Sequence, residues 1–345
     1  MPDVGAAARR YGVSLAAAIL VTMALIYGQG ASPAAFFSQV SHASFGSMVG
    51  LLNVLRWATP LTLSGLAFSY AYRAGVFNMG VEGQIYVGAF VAALVGRYLD
   101  APGPVLVAAC LIAGMAAAML WALPAAKLLE RYGVNEVVTT LMLNYIAVLL
   151  CNMVTRLFFL ARAAGGNGVS QTVATEPIRD EASLAHWADR TEANSGYLFA
   201  LGLVVILAFV LARTRYGFEL KSVGENPSFA RFAGIAVERK RTEAILVSAG
   251  IGGLIGVLEV IGVLHRYEAG SLDNMGFNGL LVGLVGLNEP LGIALSGLFF
   301  GVLQNTALAI AQLTSMSSYM ILVVTTVFIL LFAADPLRRI AQRRR

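Results

Sequence analysis

Long apolar segments, separated by short polar, charged or glycine-rich stretches, dominate the chain from its first residues to its last. A helix needs about 20 residues to cross a hydrocarbon core of ~30 Å. Most of the segments approach that length, so the pattern predicts an all-α, polytopic membrane protein with about ten transmembrane helices. The predicted spans are 13–27, 55–72, 84–99, 104–128, 136–158, 197–212, 243–264, 277–288, 290–311 and 317–334.

Two of these spans are irregular. The span at 277–288 is short and is bounded by glycine and by an Asn-Glu-Pro sequence, which favours a half-helix or one arm of a broken hairpin. The first span follows Arg9 and Arg10 and has the length of a signal peptide, but only a weak cleavage site follows it. We expect it to be retained as a helix.

The composition agrees with a membrane protein. Hydrophobic residues make up 58% of the 345 residues, and charged residues only 12%, about half the share in a soluble globular domain. More than two thirds of the lysine and arginine residues fall on one side when the predicted spans alternate with the N-terminus inside. Basic residues accumulate in cytoplasmic loops, so both termini are predicted to be cytoplasmic. Their spread over several loops argues against nucleic-acid binding.

The predicted topology treats residues 1–345 as a single transmembrane domain with two long loops. The outer loop at 159–196 begins with a glycine-rich stretch and carries several acidic side chains, so it is either a periplasmic partner surface or a solvated connection. The inner loop at 213–242 is basic. In it, Asn226 and Pro227 can start a short helix and Gly234 can end it.

Two similar segments suggest an inverted repeat. Asn78–Gly83 opens the third predicted span and Asn274–Gly279 opens the eighth, and each follows an Ala-Gly pair. The segments lie an odd number of spans apart, so the second would be inverted relative to the first. Transporters use such repeats with glycine-broken helices near their binding sites. Chance similarity, or glycines that serve only turns and helix packing, would explain the match equally simply.

The motifs of the common catalytic classes do not occur in the sequence. There is no Gly-x-x-x-x-Gly-Lys-Ser/Thr phosphate loop, no His-Glu-x-x-His and no Gly-x-Ser-x-Gly. The three histidines are far apart, and neither Cys110 nor Cys151 has a metal-ligand spacing. The sequence therefore predicts a protein that is not itself an enzyme and that uses no cofactor and no metal.

Amide and aromatic side chains are the polar groups expected at depth. A buried amide without a partner costs several kcal/mol, so these side chains either join helices or line a path for a small neutral polar solute. Glu82 could instead pair with Arg73 at the inner surface. The candidate pathway residues are Phe77, Asn78, Glu82, Gln84, Asn144, Tyr145, Asn278, Gln304 and Asn305.

The short helix of the inner loop offers a second candidate site. Phe229, Phe232 and Ile235 would share one of its faces. Such a face can dock into a groove of a cytosolic partner, or it can lie in the lipid headgroups.

Four stretches resemble the permeases of ABC importers in the branched-chain amino acid, ribose and nucleoside group, and in particular the nucleoside or simple-sugar branch. The stretches are Gly-Glu-Asn-Pro at 224–227 before Ala-Gly-Ile, Phe-Asn-Met-Gly-Val-Glu-Gly-Gln at 77–84, Thr-Thr-Leu-Met-Leu-Asn-Tyr-Ile at 139–146, and Gly-Phe-Asn-Gly at 276–279 with Leu-Asn-Glu-Pro-Leu-Gly at 287–292. The resemblance covers most of residues 50–335.

The resemblance implies a type II importer permease fold and a set of partners. Cytosolic ATPase subunits would bind the inner loop, a second and shorter permease would pair with this longer chain, and a periplasmic or lipid-anchored binding protein would deliver the substrate. The implied ATPase-coupling residues are Gly224, Glu225, Asn226, Pro227, Phe229, Phe232 and Gly234.

Together these observations predict the permease subunit of an ATP-driven importer in the bacterial inner membrane. The expected cargo is a small neutral polar solute, most simply a nucleoside, moved by alternating access. The alternatives are a simple sugar or a vitamin carried by the same machinery, and an ion-coupled secondary transporter that acts alone.

Overall fold

The computed structural model describes Met23, Tyr27 and residues 32–161 and 172–313. The regular structure in these ranges is helical, with three isolated β-bridges in the outer segments. The α-helices are α1 (Pro33–Phe45), α2 (Met48–Arg73), α3 (Val81–Tyr98), α4 (Gly103–Tyr132), α5 (Glu136–Val154), α6 (Gly196–Arg213), α7 (Arg215–Glu225), α8 (Pro227–Phe232), α9 (Val237–Glu259), α10 (Met275–Val285) and α11 (Pro290–Leu313).

The helices confirm the predicted all-α class. Within the described residues, four helical segments are long and apolar enough to cross a membrane: Gly103–Tyr132, Glu136–Phe159, Gly196–Arg213 and Val237–Leu264. The second and fourth continue α5 and α9 through a π-helical turn. The predicted span at 317–334, and the span at 13–27 apart from Met23 and Tyr27, lie outside the described residues.

The irregular eighth span is a short helix. α10 has 11 residues, which gives a length of about 16 Å, or half of a hydrocarbon core. A turn at 286–289 joins it to α11, and both Leu287 (φ 58°) and Asn288 (φ 56°) adopt left-handed backbone conformations there. Pro290, at the first position of α11, can start a new helix but cannot continue the preceding one.

The described residues fall into two compact units. The first comprises residues up to 58 and from 298 onward, and within it α1 contacts α11. The Asn305 side-chain amide donates to the backbone oxygen of Ala43 (3.1 Å) and to Ser44 Oγ (3.3 Å). The hydroxyl groups of Ser44 and Thr306 are also hydrogen-bonded, at 3.3 Å.

The second unit, residues 59–297, is built around α9. Every residue from 248 to 262 is buried, and α9 packs closely on α3 and α4. Glycines permit this approach: a Cβ added at Gly256 would lie 2.0 Å from the backbone oxygen of Ile85, and one added at Gly88 would lie 2.5 Å from that of Gly253. In lipid, such close contact between helices replaces the apolar driving force available in water.

The segment 172–195, the described part of the predicted outer loop, is packed against the C-terminal end of α3 and the residues that follow α9. Thr175 N donates to Tyr267 O, and Ala269 N donates to Val173 O, both at 2.9 Å. Glu176 pairs with Arg97 at 2.6 Å, next to the end of α3. The glycine-rich start of the loop at 164–168 lies outside the described residues.

Candidate functional site

The break between α2 and α3 is held by a buried amide network. Asn78 Nδ2 donates to Gln84 Oε1 (2.9 Å) and to Ser248 Oγ (3.0 Å), and Gln84 Nε2 donates back to Asn78 Oδ1 (3.1 Å). Ser248 Oγ in turn donates to the backbone oxygen of Ala67 at 2.7 Å. These bonds fasten the start of α3 to α2 and α9, so they use the Asn78 and Gln84 amides inside the protein.

Glu82 lies in the first turn of α3 and is 6% exposed. Its carboxylate accepts hydrogen bonds from the backbone N–H groups of Asn274, Gly276 (2.9 Å) and Phe277 (3.3 Å). The carboxylate of one repeat segment therefore caps the helix that begins in the other. The pairing of Glu82 with Arg73, which the sequence offered as an alternative, is wrong.

Arg73 binds the turn at the opposite end of α10. Its Nη2 donates to the Asn288 backbone oxygen at 3.0 Å and contacts Glu289 Oε2 at 2.7 Å. Ser69 Oγ donates to Asn288 Oδ1 at 2.9 Å. The C-terminal end of α2 thus holds the left-handed turn that joins α10 to α11.

The segment 265–274 runs back along α3 instead of leaving the helices as a free loop. Tyr267 is fully buried beside Phe90 and Tyr86, with ring centroids 5.6 and 6.0 Å away. Farther along, the Tyr86 hydroxyl accepts from Gly270 N (3.2 Å) and donates to Asp273. At 1.5 Å per residue, Phe90 and Glu82 are about 12 Å apart along α3, and the segment 265–274 extends over this distance.

Asp273 was not a candidate in the sequence, because it lies between the predicted spans at 243–264 and 277–288 and within neither of them. The Asp273 and Asn274 side chains are both exposed at the start of α10, and Phe277 is 38% exposed beside them. The repeat was the available signal, since it aligned Asn274 with Asn78, at the break before α3.

The other candidate pathway residues differ in their environments. Asn144 is buried, its Oδ1 has no hydrogen-bond partner among the described residues, and it packs against Gly83. Tyr145 is 57% exposed, and Phe77 packs in an aromatic cluster. Asn278 and Gln304 are partly buried, whereas Asn305 is buried. Gln304 and Asn305 belong to the first compact unit.

The inner loop contains the predicted short helix. Asn226 Oδ1 accepts from Phe229 N at 3.0 Å and caps α8, and Pro227 occupies the first helical position. Gly234 follows the helix with a φ of +79°. Phe229 is 57% exposed and Phe232 is 93% exposed. Ile235 does not share their face, because it packs against the buried cluster formed by Val223, Ala230 and Val237.

Ion pairs brace the loop against the start of α9. Lys240 Nζ lies 3.2 Å from Glu219 and 3.1 Å from Glu243, above the ring of Tyr216. The hydrogen bond from Lys240, with that from Arg215, holds the pKa of Glu219 below its usual value.

The loop also rests directly on the inner end of α2. A Cβ added at Gly224 would lie 2.2 Å from the Arg73 backbone oxygen and 3.1 Å from Gly75 N. A cavity of about 450 Å³ is lined here by Arg73, Gly75, Gly224, Glu225 and the 287–289 turn. Gly224, at the end of α7, therefore contacts the residue that binds the turn after α10.

The cap of α8 gives a testable prediction. We expect Asn226→Ala to loosen α8 by about 1 kcal/mol, because an N-cap side chain contributes about that much. Hydrogen exchange of the amides at 229–233 should accelerate, while the melting temperature of the whole chain changes little. Asn226→Asp, which keeps a capping oxygen, is the control; equal acceleration in both variants would contradict the capping role.

In the described ranges, several helices long and apolar enough to cross a membrane define a polytopic membrane protein. The comparison with known families agrees: residues 50–331 match the family described as branched-chain amino acid transport system / permease component. The chain belongs to this family.

Similar proteins with named functions extend the comparison. The chain is 31% identical over 330 residues to the guanosine ABC transporter permease protein NupP of Bacillus subtilis, with 94% of this chain and 91% of the relative covered. It is also 31% identical to the nucleoside ABC transporter permease protein NupB of Lactococcus lactis, over 77% and 74% of the two chains. The same identity, over 74% and 69%, relates it to the glucose ABC transporter permease protein TsgB13 of Haloferax volcanii.

Proposed function

We propose that this chain is a permease subunit of an ATP-driven importer that carries nucleosides. The observation that carries the proposal is the match to a guanosine permease over nearly the full length of both chains. The similar glucose permease makes a simple sugar the second candidate. ATP is hydrolysed by cytosolic partner subunits, a second and shorter permease completes the pathway, and a soluble or lipid-anchored receptor supplies the solute.

In this proposal the chain lies in the inner membrane of a bacterium with both termini in the cytoplasm. The distribution of basic residues in the sequence supports this orientation. It puts α8 on the cytoplasmic side, where ATPase subunits are found, and the 172–195 segment on the side of the receptor.

The solute path passes the start of α10. Asp273, Asn274 and Phe277 combine hydrogen-bonding groups with an aromatic face on an exposed surface, and Asn278 lies in the first turn of the same helix. A nucleoside carries sugar hydroxyls, base edges and a flat ring, which match these groups. Tyr145 adds an exposed aromatic ring on α5. Asn78, Glu82 and Gln84 are buried and hold the helices that line the path.

In this proposal, α8 transmits the movement of the ATPase subunits to the permease. Exposed Phe229 and Phe232 act as anchors in a groove of the ATPase subunit, and Asn226, Pro227 and Gly234 shape the helix that carries them. Closure of the ATPases displaces α8, and the contact of Gly224 with Arg73 and Gly75 passes this displacement to α2. The packed helices then move between outward-open and inward-open states.

The test is purification of the tagged chain in a mild detergent, followed by reconstitution and uptake measurement. We expect an ATPase and a second permease to co-purify. Tritiated guanosine should enter proteoliposomes only when ATP is present on the side of the membrane that carries the ATPase subunits. Uptake of glucose in preference to guanosine would favour the second candidate. Uptake that proceeds without ATP and collapses with an ionophore would contradict both.

A further inference from the structure

The helix starts at the two similar segments differ. Before α3, Asn78 closes a local turn: its Oδ1 accepts from Gly80 N at 3.0 Å and from the side-chain amide of Gln84 at 3.1 Å, and no described side chain caps the helix itself. At the second, the side chain of Asn274 does not cap α10, and its backbone has a φ of +66°. The cap comes from Glu82, across the interface between the two segments.

The rest of α10 has contacts that hold it in one position. A Cβ at Gly276 would lie 2.4 Å from Glu82 N, and one at Gly279 would lie 2.5 Å from the Ser64 backbone. At the other end, Arg73 binds the Asn288 oxygen and Glu289. A carboxylate at the N-terminal end of α10 and a guanidinium beyond its C-terminal end both complement the helix dipole.

A carboxylate suits the N-terminal position better than an amide does. Three backbone N–H groups converge on Glu82, and an ionised carboxylate offers two accepting oxygens, whereas a glutamine offers one. Hydrogen bonds to a charged acceptor are also roughly twice as strong as neutral ones. The glycine at 276 lets the backbone of α10 come close enough for these bonds.

We propose that Glu82 is the positioning residue that fastens α10 to α3, so that Asp273, Asn274 and Phe277 are presented to the solute in one fixed geometry. The inference rests on the proposed function, since it assigns the start of α10 to the solute path. It differs from the expectation that Glu82 lines that path, because the carboxylate is buried and occupied by main-chain groups.

The test combines hydrogen exchange with transport in Glu82→Gln. In the purified full chain in detergent, we expect exchange of the amides at 274, 276 and 277 to accelerate about tenfold or more, since the charge-assisted bonds are lost. In proteoliposomes holding the complete transporter, we expect uptake of tritiated guanosine to fall at least about tenfold. Glu268→Gln removes a nearby carboxylate that pairs with Arg266, and it should leave exchange at 274–277 unchanged.

Gly276→Ala is the second variant, because its Cβ would push α10 away from Glu82 with the carboxylate still present. It should reproduce both effects. Unchanged exchange in Glu82→Gln, or accelerated exchange with uptake at the wild-type rate in both variants, would overturn the inference. If the unaltered transporter fails to take up guanosine, the proposed substrate is wrong, whereas the exchange result still decides whether Glu82 holds α10.

Discussion

Gly256→Val is expected to prevent the chain from forming a stable, monodisperse protein. The first atom of the new side chain would lie 2.0 Å from the backbone oxygen of Ile85 and 2.7 Å from Ala89 N. Both atoms belong to the main chain of α3, so no side-chain rotation can relieve the clash. Overpacking of a core usually costs about 1–3 kcal/mol, and we expect this clash to exceed that range, out of a total stability of about 5–15 kcal/mol.

The measurement is the fraction of monodisperse protein by fluorescence-detected size exclusion, together with the melting temperature of what remains. Gly202→Val on α6 is the matched control, because a Cβ added at Gly202 would have no neighbouring atom within 4 Å. Both variants carry the modest helix penalty of a β-branched residue, so their difference isolates the packing of α9 on α3. A Gly256→Val chain that melts within a few degrees of the control would refute the close approach.

The helices could be predicted from the sequence because their signals are local. The length of the apolar segments predicted α4, α5, α6 and α9. The Asn-Pro and Asn-Glu-Pro sequences predicted the starts of α8 and α11. α1 was not predicted, since its serines, histidine and glutamine interrupt the apolar pattern. α7 was not predicted as a helix either, because the basic loop that contains it lacks an apolar span.

The candidate site could be predicted only in part, because its main contacts join distant segments through the main chain. Opposite charge suggested Arg73 as the partner of Glu82, whereas the actual partners are the N–H groups of Asn274, Gly276 and Phe277. Backbone donors have no sequence signature. In the same way, the polar segment 265–274 resembles a loop, and its path along α3 is visible only in contacts such as those of Tyr267 with Phe90 and of Asp273 with Tyr86.

These contacts connect the two candidate sites. Gly224 of the inner loop touches Arg73, and Arg73 holds the turn at the end of α10. Glu82 holds the other end of α10, beside the exposed Asp273 and Asn274. These contacts form a continuous route from the inner loop to the proposed solute path.

That route makes Phe232→Asp the most informative change in the inner loop. We expect uptake of tritiated guanosine by the reconstituted transporter to fall by about 30-fold or more, because an aromatic anchor at the centre of an interface commonly contributes 2 kcal/mol or more. A carboxylate in an apolar groove would add a desolvation cost to the lost contact. Phe232 is 93% exposed in the chain itself, so the substitution should not change the melting temperature of the isolated permease.

The pair of measurements separates docking from folding. Phe232→Leu keeps an apolar anchor and should retain most of the uptake, while Phe232→Asp should also lose co-purification of the ATPase subunits. Phe229→Asp, at the other exposed ring of α8, should act in the same direction, with a smaller effect because Phe229 is only 57% exposed. Wild-type uptake in Phe232→Asp would show that α8 is not where the ATPase binds, and the inner loop would then be a surface helix lying in the headgroups.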